Sequence, residues 1–532
     1  MSIRSLIPVW ARHALIGAAF AAATLATLPQ TTLANTMVIA ATRTPGGFDG
    51  DALKPNTQNV VVQTYEGLTK YGYKKNPASG RLEIDPSDIQ AHLAESWTVS
   101  PDGKTWTFKL RQGVKSPFGN EMTSADVVWG WEKSLNQKRT GAFIARVSSV
   151  QKVESVDRYT VRFILEQPSK IFLAALTLYT PSIYDSTEVK KYATADDPWA
   201  LKWIDRNTAG FGAYHLQSLK PGEEAIFIAN PNYFGPKPYY ERVVYREVPN
   251  AGTRFTLLRT GQVQWTEELT LKQIVELKKD KRVKVESDVG TGHASARINP
   301  TLKPFDNPKL RQAMAYATDY QAINKAVFEG LGTQARSIVP PIIPGADDAA
   351  WTFATDFNKA KALLAEAGYP NGIDISLEYS GIFWFEEPLA IQIKDSMAKA
   401  GIRVALKKIT DADMRSRTAI NRRDLPFFTF MDNPIVLDPV YALFLNAHSQ
   451  GASNRNNYSN VDFDKIVDAA RVEQDPVLRE RLVRQAQRIH TADSNWIMTM
   501  YPGVHEAMAP CVVGYVWQPD YHERWRELSC NR

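Results

Sequence analysis

The chain has 532 residues, 44% of them hydrophobic and 23% charged, with a net charge of +6. That length exceeds what one core usually spans, so two or three lobes are expected, and the composition excludes a disordered chain. Of the 63 basic residues, Arg4 and Arg12 fall in the N-terminal segment; the remaining 61 face 57 acidic ones, a mild and interspersed excess that argues against nucleic-acid binding and leaves room for an anionic ligand.

Arg4, Arg12 and His13 precede an apolar stretch from Ala14 to Leu28, followed by polar Gln30 to Leu33 and a small residue, Ala34. This is the layout of a secretory signal. Residues 1–34 are expected to be removed after Ala34, without lipid attachment, since no cysteine lies near the cut. The apolar run is short for a bilayer span and no later segment approaches 18 uninterrupted apolar residues, so a soluble periplasmic protein is expected.

Past the signal, Thr36 to Thr42 reads as a first strand ending at Pro45-Gly46-Gly47, and Thr57 to Leu68 as a helix with Val61, Tyr65 and Leu68 on one face. A β-rich region follows. Trp106, Phe108 and Leu110 alternate with polar residues over Thr105 to Arg111, and Tyr159 to Phe163 repeats the alternation. Between them, Thr123 with Asp126 forms a capping box opening a helix through Val127, Trp131 and Leu135. Asp306-Asn307-Pro308 starts a helix through Leu310 and Met314. Phe357 to Ala367 is another, closed by Gly368. A strand at Ile373 to Tyr379, a helix from about Pro388 to Ala400 and a strand at Ile402 to Lys408 complete an α/β pattern. The segment Asp462 to Thr491 reads as helical, with Ile466, Ala469, Ala470, Leu482 and Ala486 toward the core.

The two cysteines, Cys511 and Cys530, are expected to form a disulfide pinning the tail of an exported chain, with two free thiols as the alternative. Enzymatic signatures are missing: the chain carries no phosphate-binding glycine loop and no nucleophile elbow, and His505-Glu506 lacks the second histidine of a zinc-protease helix because Ala509 stands there. Neither a metal nor another cofactor is expected.

Several stretches together resemble a known family. The run from His92 to Lys115, through Ala94, Trp97, Asp102, Trp106, Phe108 and Gly113, resembles the signature of family 5 extracellular solute-binding proteins, the peptide, nickel and opine receptors of ABC importers. Met122 to Asp126, Gly210 to Tyr214, Ala229 to Gly235, Thr253 with Arg254, Phe305 to Tyr316 and Ala360 to Tyr369 fit the same pattern. The resemblance implies an α/β, two-lobe periplasmic-binding-protein (Venus-flytrap) fold with an extra β-rich subdomain in the first lobe. Lobe I is then expected to comprise 35–58, 176–262 and 495–532, the inserted subdomain 59–175, and lobe II 263–494.

The resemblance also implies a ligand cleft between lobes that close on a hinge, and a monomer handing its small solute to an inner-membrane permease and ATPase. A secreted hydrolase, or a sensor or peptide chaperone on the same scaffold, is the competing reading. By position, Arg43, Phe48 and Asp49 resemble the N-terminal ligand loop, Gln58 follows on the adjoining helix, and Phe143 and Tyr179 fall near ligand-facing positions. Phe383, Trp384, Asp432 and Asn433 are expected from lobe II; for each aromatic, plain lobe packing is the alternative. Peptide-binding members carry an aspartate three residues before an Asp-Pro pair to grip an α-ammonium. Here that pair is Asp438-Pro439 and the position holds Ile435. A ligand bearing a carboxylate or other anionic group is therefore expected instead, with Arg43 as the candidate to hold it and Arg422 and Arg423, further along the chain, as either additional contacts or solvated loop residues.

Overall fold

The computed structural model describes residues 35–52 and 54–531; the expected signal segment and its cut lie outside them. Thr36–Ala41, an apolar run, pairs in parallel on both sides, with Arg242–Glu247 and with Trp265–Thr266. Strands flanked this way are buried on both faces, which is why the run carries almost no polar side chain. It sits inside a seven-stranded sheet ordered Lys284–Asp288, Val504–Met508, Trp265–Thr266, Thr36–Ala41, Arg242–Glu247, Glu224–Ala229, Tyr214–Lys220.

A second, six-stranded sheet runs Thr333–Gln334, Trp496–Tyr501, His293–Ile298, Phe427–Asp432, Ile373–Tyr379, Ile402–Lys408. Helices Pro308–Tyr316, Phe357–Glu366 and Glu386–Ala398 share its apolar cluster. The chain thus forms two α/β lobes, each around a mixed sheet. It passes between the sheets at Val289–Gly292 and at Pro502–Gly503. Gly290 has φ +70° and Gly503 φ +80°, a region that side chains other than glycine's rarely enter. The strand pairing moves the expected lobe borders: Trp265–Thr266 and Lys284–Asp288, placed in lobe II by sequence, belong to the first sheet, and Trp496–Tyr501 belongs to the second. Short strands next to a crossing carry no sequence mark of which sheet they join.

Between Thr69 and Leu165 lie a hairpin, Thr69–Lys75 with Leu82–Ala91, and a four-stranded antiparallel sheet containing both alternating strands read from sequence. Phe108 and Leu110 are buried as the alternation requires. The capping box forms, with Asp126 accepting from the Thr123 N–H at 2.7 Å. Two helices differ from expectation. The first ends at Thr64, and Tyr65 turns extended at φ −122° to feed the hairpin. The long helix expected to Thr491 is two, Val461–Val472 and Pro476–Ala492. Pro476 has no N–H to continue the ladder, and Asp475 caps the new start through Val477 and Leu478. Phe463, Val467 and Ala470 form the buried face, leaving Ala469 exposed.

The insert is anchored to the first lobe by charge. Lys133, fully buried, donates to Asp49 at 2.7 Å and Asp51 at 3.0 Å. Tyr184 donates to Asp49, while Ser134, Thr180 and the Gly141 N–H donate to Asp51. Removing the cation strands two buried carboxylates. Lys133→Met is expected to cost about 3–5 kcal/mol in urea unfolding, while Lys152→Met at an exposed pair leaves the midpoint in place.

Cys511 and Cys530 are bonded, with Cα atoms 4.7 Å apart, and flank the two-stranded pairing of Val512–Val513 with Ser529–Cys530. Thiol titration of unfolded, unreduced protein is expected to find no free thiol, and reduction to cost about 3 kcal/mol of stability.

Candidate ligand site between the lobes

Trp265–Thr266, Ile373–Tyr379 and Phe427–Asp432 all end toward the junction of the lobes, where Glu267, Phe383 and Met431 lie. In α/β proteins the crevice outside such carboxyl ends is where ligands sit. A cavity of about 430 Å³ opens there. The first lobe contributes Asn59, Glu267, Glu268, Glu506, Tyr521, His522 and Glu523 to its wall, and the second Phe383, Trp384, Phe385 and Met431. Its base is made by the two crossings, at Val289, Gly292, Pro502, Gly503 and Val504.

Strand register explains the glutamates. Thr266 lies opposite Ala507, so the next pair along the ladder sets Glu267 across from Glu506. Glu267 accepts from Tyr245 at 2.8 and 2.7 Å and from Asn59 at 2.8 Å. Glu506 accepts from the Trp265 indole at 3.1 Å, and Glu523 from the Trp525 indole at 2.8 Å. All these donors are neutral, and among the described residues none of the three carboxyls has a lysine or arginine within ion-pair distance. Burial, then the nearby charge of Glu523, pushes the Glu267 carboxyl above its ordinary range. Burial, then Glu523 and Glu267, does the same to Glu506, and burial raises Glu523. His522 adds no positive charge, since burial lowers it to about 4.

The opposite wall is aromatic. Phe383 lies edge-on to Phe430 at 5.3 Å, and Trp384, 58% exposed, stands edge-on to Phe328 at 5.7 Å. Tyr521 ties this site to the hinge: its hydroxyl oxygen accepts from the N–H groups of Thr291, at 2.8 Å, and Gly292. The lobes are closed on each other. Leu437 N–H donates to Tyr71 of the insert at 3.1 Å, Arg471 donates to Ser149 at 3.3 Å, and Tyr71, Ile84, Ile144 and Val147 share one apolar cluster with the second lobe.

Of the residues expected from sequence, Phe383 and Trp384 line the cavity, and Asn433 sits beside Gly292 at its edge. The others are placed elsewhere. Phe48 is fully buried, edge-on to Phe227 at 6.2 Å, as a core residue of the first lobe. Asp49 is consumed by Lys133. Asp432 accepts both forks of Arg455, at 2.9 and 3.0 Å, and Arg297 at 2.8 Å; burial opposes its charge, but Arg455 and Arg297 outweigh that and lower its pKa. It therefore satisfies buried guanidinium groups and has no charge to spare for a ligand. Phe143 lies in a separate open groove with Lys54 and Arg139. Tyr179 lines a nearly filled chamber of about 30 Å³, with Gln58 against its hydroxyl. In that chamber Arg526 pairs with Glu66 at 3.2 Å and Arg524 with Asp520, and Lys70 also lines it. Burial works against the Glu66 charge, yet Arg526 and His92 hold its carboxyl down at about 2.

Arg43 is exposed and absent from the cavity wall. Arg423 donates to the carbonyls of Ser449 and Gly451, and Arg422 to Asp424. No lysine or arginine is among the lining residues, so this geometry does not supply the carboxylate grip expected from sequence. Asp438 caps the helix Pro439–Ala447 and pairs with Arg479 at 2.9 Å, and Ile435 packs against the core of the second lobe.

The glutamates escaped sequence reasoning because they lie at 267, 506 and 523, in three segments joined by strand order alone. His505-Glu506 drew notice for a zinc motif it does not complete.

Comparison with known proteins accords with this architecture. Residues 88–454, well over half the chain, match the family model described as bacterial extracellular solute-binding proteins, family 5 Middle. Heme-binding protein A of Haemophilus influenzae is 29% identical over 522 residues, covering 93% of this chain and 92% of that protein. The probable D,D-dipeptide-binding periplasmic protein DdpA of Escherichia coli K12 is 29% identical over 472 residues, covering 87% and 88%. The structure of HbpA2 from Haemophilus parasuis superposes with a TM-score of 0.81 at 25% identity, covering 94% of this chain and all of that one. The chain belongs to the bacterial extracellular solute-binding proteins, family 5.

Proposed function

We propose that the chain is exported and acts as the periplasmic receptor of an ABC importer, binding its solute in the cavity between the lobes and presenting the closed form to an inner-membrane permease and ATPase. One observation carries this reading: a cavity walled by both lobes and floored by both crossings, with a glycine at positive φ in each crossing. A hinge of this kind lets two rigid lobes close around a ligand. We assign 35–288 and 504–531 to the first lobe, including the insert, and 293–501 to the second.

Closure signals occupancy only if the solute binds the closed form better than the open one. A wall contributed by each lobe meets that requirement, because a solute touches both walls only when they approach. Micromolar affinity corresponds to about 8 kcal/mol, within reach of a few charge-assisted bonds and one aromatic contact. Relatives named for heme and for a D,D-dipeptide differ in their solutes, so the ligand must be read from this chain's own wall.

A hydrolase on the same scaffold is the weaker reading. Raised carboxyls also suit acid–base catalysis, but the described cavity wall offers no serine, threonine or cysteine, and the Tyr521 oxygen is held by the crossing.

Native mass spectrometry of protein purified from its own periplasm is expected to show a mass above that of the mature chain, released on unfolding. Small-angle scattering is expected to show a larger radius of gyration after the solute is stripped and contraction on its return; an unchanged radius would reject hinge closure. Trp384→Ala, at an exposed ring, is expected to weaken solute binding about tenfold, an aromatic contact being worth roughly 1 kcal/mol or more, with the thermal midpoint unchanged.

A further inference from the structure

We infer that the solute is an organic cation: an ammonium, amidinium or guanidinium group held by Glu267, Glu506 and Glu523 of the first lobe, joined to an apolar part that lies against Phe383, Trp384 and Met431 of the second. This rests on the interlobe cavity being the receptor site and gives that site its ligand class.

Charge bookkeeping is the first ground. Taking a carboxylate from water is costly unless it is paired, and many of the chain's buried carboxylates have a cation beside them; Asp126, Asp185 and Glu386 have neutral donors only, but do not line this cavity. Asp49 and Asp51 have Lys133, Asp432 has Arg297 and Arg455, and Asp520 has Arg524. The cavity glutamates have only neutral donors. The charged and titratable groups around them do not change this. Glu268 adds negative charge nearby, Asp288 is paired with Arg81 at 3.3 Å, and Tyr245, Tyr515 and Tyr521 are neutral phenols. Arg524 is spent on Asp520, and Arg254 on the carbonyls of Val248, Pro249, Glu267 and Glu268.

Glu523 is the second ground. It is only 6% exposed and lines the cavity; one carboxyl oxygen accepts from Trp525, and the other meets no donor among the described residues. Glu523 thus brings a carboxyl with a single side-chain donor, the Trp525 indole, to the cavity wall. The aromatic wall opposite suits a cation as well, because ring faces attract positive charge. A metal ion fits less well: among the described residues, no group of three or more histidine, cysteine, aspartate or glutamate side chains is arranged to hold one.

Burial and mutual repulsion raise these carboxyl pKa values and a bound cation lowers them, so binding is expected to release protons and to tighten as pH rises. An anion would do the reverse.

The test uses the mature chain, stripped of solute by refolding from urea. It is offered an equimolar mixture of phenylalanyl-alanine, its N-acetyl form, phenethylamine, agmatine, phenylacetate and succinate, and complexes are read by native mass spectrometry. Only the free-amino and guanidino members are expected to be retained. Glu523→Gln and Glu506→Gln are each expected to reduce their capture about tenfold or more, the worth of a charged hydrogen bond. Both variants replace a buried ionisable carboxyl by a neutral amide of the same shape, so their melting curves are expected to match or exceed that of the parent; if one variant misfolds, the other decides. Calorimetry of the best-retained member in two buffers of different ionisation enthalpy is expected to show proton release, absent from the variants. Capture of phenylacetate, succinate or the N-acetyl dipeptide with contraction in scattering would overturn the cation assignment and leave the receptor standing. Equal capture of cations by parent and both variants would overturn the glutamates as their anchor. If nothing is captured and the radius never changes, both readings fall.

Discussion

Everything between the lobes is set by how the chain crosses from one sheet to the other. Val289–Gly292 and Pro502–Gly503 are short, and each contains a glycine at positive φ. Two short strands of backbone hold the lobes together at one edge and leave the other free to swing. Any space enclosed by the two sheets must therefore have the crossings as its floor, which is where the 430 Å³ cavity lies. Tyr521, bound to Thr291 and Gly292, fastens the disulfide-closed tail to the same point. Farther out, the direct polar links named between insert and second lobe are Leu437 to Tyr71 and Arg471 to Ser149. A typical hydrogen bond contributes about 1 kcal/mol net, so these links add only weakly to the apolar cluster that Tyr71, Ile84, Ile144 and Val147 share with the second lobe.

Much of the molecule's buried charge has its partner built in, and the interlobe cavity departs from that pattern. Lys133 with its two aspartates joins the insert to the first lobe. Arg297, stacked 3.8 Å over Trp496 and paired with Asp432, holds the core of the second. Arg479 fixes Asp438 at the head of its helix. In these places the partner is built in. At Glu267, Glu506 and Glu523 it is not, and burial shifts the cost onto raised carboxyl pKa values. Carboxyls raised in this way cluster at functional sites, and these three line a space that a ligand can enter.

Much of the scaffold was legible in sequence because its signals are local. Alternation marks Thr105–Leu110, a capping box opens Ser124–Gln137, and a glycine follows Phe357–Glu366. The break at Pro476 was also written locally, in Asp475-Pro476, and was overridden by the helical pattern around it. What escaped is what depends on partners. Asp49 and Asp432 look like free carboxylates until Lys133, Arg297 and Arg455 are brought against them. Phe48 looks like a ligand contact until Phe227 packs on it. Phe383 and Trp384 could be found, since a loop after a strand's carboxyl end reaches the crevice in any α/β lobe. Glutamates gathered from residues 267, 506 and 523 required the sheet order itself.

Ile435 and the three glutamates belong to one rearrangement. With Ile435 packed in the core and Asp432 neutralised by two arginines, the second lobe presents aromatic and apolar side chains to the cavity, and the negative charge faces it from the first. A cation held on the first lobe while the cleft is open is still partly hydrated, and its attraction to the glutamates is weak in water. Closure brings Phe383 and Trp384 over it and expels that water, and the same charges then interact through a medium of much lower effective dielectric. The ion pairing is therefore stronger in the closed form than in the open one. A neutral solute of the same shape gains only the apolar contact on closing, so the division of charge and aromatics between lobes makes closure depend on the sign of the ligand as well as its size.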